Sequence, residues 1–240
     1  TENLAEALAS AELAQKLRPD WSLAALRIAE LQNISSLDTA INTLDRFLSS
    51  YPKSPDVSFY RARLYLQADQ LDKALPLLQA HRIAFPDDLL AAYTLGLVAL
   101  EQKNYPLAEP HLLAALAFSK QATPRVYLSL GQVYAAQNKS AEAEAAYLNV
   151  KSLPELLMAR RNLYQLWLKN NPEKAEKAWK TWYAEAEEAM PYILIKTESL
   201  RSKKDYTGGV AYLTQEIAQQ SNTDDLYYER ALLHDLAGQA

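Results

Sequence analysis

The sequence contains no cysteine, which excludes disulfides, thiolate chemistry and cysteine-ligated zinc or iron–sulfur sites. Glycine is scarce, with five in 240 residues, and none stands in a G-x-G-x-x-G, Walker or G-x-S-x-G arrangement. Phosphate-cradling loops and the hydrolase nucleophile elbow are therefore excluded. The three histidines, His81, His111 and His234, are scattered, with no H-E-x-x-H, and read as surface or packing residues. No metal, cofactor or catalytic group is expected. No apolar run approaches the ~20 residues that span a bilayer. An excess of positive charge is lacking too. The 25 basic and 29 acidic residues are well mixed and leave a net charge of −4. Nucleic-acid binding by counterion release needs a basic stripe, and none is present.

What the sequence has instead is a period. Small residues recur at Ala7, Ala40, Ala74, Ala108, Ala143, Ala175 and Gly209, in steps of 33, 34, 34, 35, 32 and 34. A second series runs through Ala29, Ala62, Gly96, Gly131 and Ala231. Between them, apolar residues fall at i, i+3, i+4 and i+7, the spacing of a helix face. Turns fall at Asp, Asn, Ser, Pro and Gly clusters. Fourteen helices are expected, at 2–17, 21–33, 36–50, 54–68, 71–84, 88–102, 105–119, 123–137, 140–151, 153–169, 172–188, 190–203, 206–220 and 223–238. No stretch alternates at period two for long enough to be a strand, so the fold class is all-α. Pro19, Pro52 and Pro86 punctuate the array, because proline stops one helix and pre-sets the next.

A period of this length marks stacked helical hairpins, each buried only by its neighbours. Ala or Gly once per helix lets two antiparallel helices approach closely. Tyr65, Tyr134, Tyr147, Trp179 and Leu213 are the expected fillers of those gaps. Gly208-Gly209, early in a helix, suggests a loosened joint or a kink.

The units resemble tetratricopeptide repeats. Leu95-Gly96 with Ala108, Leu112 and Ala115 is the best match to the consensus. Next come Tyr127, Leu130-Gly131, Tyr134, Ala143, Tyr147 and Val150, and before it Ala62, Tyr65, Ala74, Leu78 and Pro86. The resemblance implies a right-handed α-solenoid, or superhelix, of about seven helix-turn-helix units over 1–240. A less regular unit is expected at about 153–205, where Arg161-Asn162-Leu163 replaces Leu-Gly and Trp167, Trp179 and Trp182 thicken the packing. The opening and closing helices read as halves of further units, so the chain is expected to be part of a longer array. Self-association through exposed terminal repeats is a corollary.

In this family the first helix of each pair lines a concave groove that holds a peptide or a partner's helix. The groove-facing positions implied here are Phe59, Arg63, Gln67, Tyr93, Leu97, Glu101, Leu128, Gln132, Arg160, Tyr164 and Tyr228. The bland reading of each is half-buried packing. A subset of the family clamps a terminal carboxylate with Lys, Asn and Arg. Phe59, Arg63, Tyr93 and Leu97 stand at the matching positions and do not support a clamp.

Arg160-Arg161, Lys169, Lys174, Lys177 and Lys180 form the one basic concentration. Interleaved with Glu173 and Glu176, it reads as a solvated face or a contact to an acidic partner. Glu185, Glu187 and Glu188 read as a solvated acidic patch on one helix.

The resemblance thus implies a non-enzymatic protein-interaction scaffold or adaptor. Its repeats look like those of proteobacterial envelope lipoproteins, which implies the periplasm or outer membrane, with any lipid anchor outside the fragment. A cytoplasmic location is the alternative. The other functional reading is a regulatory or substrate-recruiting arm of an enzyme whose catalytic domain lies outside this sequence.

Overall fold

The computed structural model describes residues 2–119, 123–220 and 223–238. Among the described residues there are fourteen helices and no strand. Two compact units divide the chain, residues 1–121 and residues 122–240.

The first unit holds α1 (Glu2–Leu17), α2 (Ser22–Asn33), α3 (Leu37–Ser50), α4 (Pro55–Gln67), α5 (Leu71–Ala84), α6 (Leu89–Glu101) and α7 (Tyr105–Phe118). The second holds α8 (Pro124–Ala136), α9 (Ser140–Leu148), α10 (Glu155–Asn170), α11 (Pro172–Ala184), α12 (Met190–Ser202), α13 (Tyr206–Ile217) and α14 (Asp224–Gly238). Within each unit the helices pair as hairpins: α2 with α3, α4 with α5, α6 with α7, α8 with α9, α10 with α11, and α12 with α13. The second helix α1 packs on α2, and the first helix α14 packs on α13.

The small-residue series explains the pairing. Ala40, Ala74, Ala108, Ala143 and Ala175 on second helices, and Ala29 and Ala62 on first helices, are completely buried. The glycines give the closest approaches. A side chain added at Gly96 would lie 2.7 Å from the Leu112 side chain, and one at Gly131 would run into the Tyr147 ring. Gly208-Gly209 does not loosen α13. The Asp205 carboxylate caps the helix by accepting from the Gly208 N–H at 3.0 Å, and a Cβ at Gly209 would sit 2.7 Å from Leu233. These glycines admit a cap and a neighbour, and the helix continues through them.

Ala231 departs from the series: it is exposed.

Four hairpin turns share one geometry. Asp69, Lys103, Asn138 and Lys204 adopt φ of 56°, 57°, 60° and 59°. The next N–H in each turn, from Gln70, Asn104, Lys139 and Asp205, donates back to a carbonyl five residues earlier, at 2.8–3.0 Å. This left-handed closure satisfies helix-end carbonyls. The turn at Asn170-Asn171 differs: the Asn171 N–H bonds to Trp167 O at 2.6 Å, and its side chain caps α11 from outside.

Three helices stop three or more residues earlier than the periodicity predicts: α9 ends at Leu148, α11 at Ala184 and α13 at Ile217. Glu185, Glu187 and Glu188 therefore follow α11 instead of forming a patch on it. Carboxylates at a helix C-terminus oppose its dipole, so the run ends the helix.

The irregular region around α10 to α12 is the most aromatic part of the core. Trp167 stacks on Trp182 with centres 5.8 Å apart, and Trp179 stacks on Tyr183 at 5.0 Å. Both buried indoles find acceptors, Trp167 on Glu144 at 2.7 Å and Trp179 on the Tyr192 carbonyl at 2.8 Å.

Candidate functional site

The site is built on first helices. In the second unit, α10, α12 and α14 together line a cleft of about 370 Å³. Its apolar surface comes from Leu157 and Met158 on α10 and from Pro191, Leu194 and Ile195 on α12. Met158 is 49% exposed. Charged residues cross the same cleft in alternating sign. Arg161 on α10 pairs with Glu198 on α12, and Arg201 on α12 pairs with Glu229 on α14 at 3.3 Å.

Part-buried polar bonds tie α10, α11 and α12 together. Glu176 accepts from the Tyr164 hydroxyl at 2.6 Å and from Lys196 at 2.9 Å. Burial works against the Glu176 carboxylate, but these two donors outweigh it and hold the group below the usual carboxylate range. Burial and the adjacent Glu176 in turn push the Tyr164 phenol upward. Lys196 also lies 4.3 Å from the centre of the Trp179 ring. The floor behind the cleft is thus fixed.

In the first unit, α4 and α6 present Arg63, Gln67, Leu97 and Glu101 to solvent, with Tyr93 half-buried. Gln67 accepts from the Asn33 amide at 3.1 Å, linking α2 to α4 across this face. Gln132 on α8 and Arg160 on α10 are half-buried, and Tyr228 on α14 is 71% exposed.

Three expected groove residues are corrected by the structure. Phe59 is 8% exposed and packs against His81 with ring centres 4.6 Å apart. Leu128 and Tyr164 belong to the core of the second unit. These three face the seam between helices and offer no anchor to a partner.

Conversely, Met158, Leu194, Glu198, Arg201 and Glu229 line the cleft and are not among the expected groove positions, and Arg161, expected only as part of the basic concentration, lines it too. The missing signal was in the sequence. In the regular hairpins the two small residues are 12 apart, as in Ala62–Ala74, Gly96–Ala108 and Gly131–Ala143. The same offset from Ala175 and Gly209 selects Leu163 and Thr197, which are 2% and 1% exposed. In that register Leu194 falls at the position of Phe59 and Tyr93, and Glu198 at that of Arg63 and Leu97.

His81 is a packing residue with a polar tie. Its ring sits between Phe59 and Phe85, and its Nε2 lies 2.8 Å from the Asp88 carboxylate, which caps α6. Among the described residues no cluster of three or more His, Asp or Glu could hold a metal ion, and no helix is long and apolar enough to cross a membrane.

Comparison with known proteins agrees with this architecture. The family model described as anaphase-promoting complex, cyclosome, subunit 3 matches residues 33–115, and a tetratricopeptide repeat model matches residues 93–153. No curated protein sequence matches. A tetratricopeptide repeat protein from Parabacteroides merdae is 17% identical, with a TM-score of 0.65 over 97% of this chain and 93% of the other. Cut9, in the APC/C heterotetramer Cut9–Hcn1, gives 15% identity and a TM-score of 0.64, over 97% of this chain and 46% of that one. PilW, a type IV pilus biogenesis factor, gives 19% identity and 0.64, over 79% of this chain and 90% of its own. At such identities the likeness is one of fold. With its period, its hairpins and these matches, the chain is a tetratricopeptide-repeat protein.

Proposed function

We propose that this chain is a non-enzymatic scaffold that docks a partner peptide or protein segment on the first helices of its hairpins. The observation that supports it most directly is the cleft on α10, α12 and α14. There the exposed Met158 and the half-buried Leu157, Pro191 and Leu194 stand beside ion pairs, with part-buried hydrogen bonds joining α10, α11 and α12. Apolar anchors beside arginine are the composition of protein-binding surfaces. Leu97 and Tyr93, with Arg63, extend the same chemistry to the first unit.

The test is affinity capture with the intact chain and two double variants, Met158→Glu with Leu194→Glu, and Tyr93→Glu with Leu97→Glu. Each should stay helical by circular dichroism and lose captured partners. If both variants fold and keep every partner, the docking face lies elsewhere.

A finer reading places the scaffold in the bacterial envelope, in protein assembly or in delivery of substrates to proteases. It is supported by the resemblance of the repeats to envelope lipoproteins, and PilW shares the fold. Fractionation of the source cells with detection by antibody tests this, and recovery of all the protein in the cytosol overturns it.

A further inference from the structure

The cations that bridge first helices in the second unit have carboxylate partners: Arg161 has Glu198, and Arg201 has Glu229. Arg160 also bridges two first helices, and its case is different. Its guanidinium is half-buried on α10, 5.3 Å from the Trp182 ring centre and 5.6 Å from that of Tyr192 on α12. Its Nη1 donates to the Tyr192 hydroxyl. Among the described residues no carboxylate pairs with it, and the acidic run following Trp182 makes no ion pair to it.

Aromatic faces attract a guanidinium but do not neutralise it. The group has five N–H donors in a planar fork, and the Tyr192 hydroxyl engages one nitrogen. A charge partly withdrawn from water without a counter-charge is unfavourable. Meanwhile the two rings hold the fork in place, so little side-chain freedom remains to be lost when a carboxylate arrives. Arg160 stands beside the cleft and not in its lining: Leu157 and Arg161 on the same helix line it, while Arg160 packs on Trp182 of α11 and Tyr192 of α12. We infer that Arg160 is the anchor for an aspartate or glutamate side chain of a partner peptide lying along the first helices of the second unit. This rests on the proposal that these helices are the docking face, and it adds the chemistry of the partner.

The test is a selection of short random peptides displayed on phage without a free C-terminus, against the intact chain, Arg160→Gln and Arg160→Glu. The intact chain should enrich peptides with Asp or Glu at one fixed position beside apolar residues. Arg160→Gln should return that position to library background and weaken a synthetic selected peptide about tenfold or more, as for a lost charge-assisted hydrogen bond. Arg160→Glu should turn the preference to Lys or Arg. Equal acid preference in all three proteins overturns the assignment. Enrichment of apolar peptides with no acidic position also overturns it while leaving the docking face standing, and no enrichment at all overturns both. Should the Arg160 variants fail to fold, Tyr192→Phe removes the positioning hydroxyl and keeps the ring. It should weaken the acidic peptide and spare its Gln counterpart, and unchanged binding of the acidic peptide counts against the anchor.

Discussion

The Tyr147 ring fills the space that a side chain on Gly131 would need. Tyr147 is 3% exposed, and burial pushes its phenol up to about 12. Such a ring cannot swing aside without opening the core between α8 and α9. Gly131→Ala is therefore expected to cost ~1–3 kcal/mol by overpacking, despite the better helix propensity of alanine. Gly96→Ala overlaps less, at 2.7 Å from Leu112 where Gly131→Ala runs closer still to the Tyr147 ring, and should cost less. Urea denaturation of the two variants gives the order, and equal stabilities would contradict it.

The left-handed turns predict an opposite sign. Lys103 holds φ of 57°, a conformation that strains a residue with a Cβ. Lys103→Gly should stabilise the chain by up to ~1 kcal/mol, since relief of the strain exceeds the added freedom of the unfolded state. Asn138→Gly should gain less, because asparagine tolerates this region. Thermal unfolding of both variants checks the difference.

Ala62 and Ala231 occupy the same position of the repeat and should respond differently. Ala62 is fully buried beneath α5, whereas Ala231 faces solvent. Ala62→Leu should destabilise by ~1–3 kcal/mol, and Ala231→Leu should stay within ~0.5 kcal/mol. Chemical denaturation decides this, and a large loss at Ala231 would mean that another helix covers it in solution.

Asp88 carries a pH dependence. Partial burial opposes its ionisation, but the hydrogen bond to His81 and those from the Ala91 and Leu90 N–H groups outweigh that and lower its pKa from 3.8. A carboxyl that is more acidic folded than unfolded stabilises fully above its unfolded value. That stabilisation fades as the pH falls through the folded one. Asp88→Asn keeps an N-cap acceptor but no charge. The variant should be less stable than the parent at neutral pH, and the gap should narrow below about pH 4. A gap that is constant from neutral to acid would show that the charge contributes nothing.

The helices were legible because each second helix carries its small residue at near-constant spacing, and Ala74, Ala108 and Ala143 are as buried as that spacing requires. The face of each helix was less legible. Phe59, Leu128 and Tyr164 share spacing with Tyr93 and Leu97, yet they turn into the seam. Which of these positions is covered is decided by tertiary packing, as at Phe59 against His81 and at Leu128 and Tyr164 in the core of the second unit. Around α10 and α12 the small residue of the first helix is replaced by Leu163 and Thr197, so the periodicity gives no register for Leu194 and Glu198 there. Arg160 is legible as a groove-facing position within a basic cluster, but its setting against Trp182 and Tyr192, which are 22 and 32 residues away, is not.

Within each unit every helix packs on elements one or two places away in chain order. Tension applied along the chain would find no long-range staple holding a unit together. A hairpin could peel off and leave the next one folded, releasing about 34 residues, or roughly 110 Å of extended chain, at each event. Such a molecule would give way in increments under load, like a tether that lengthens stepwise instead of snapping.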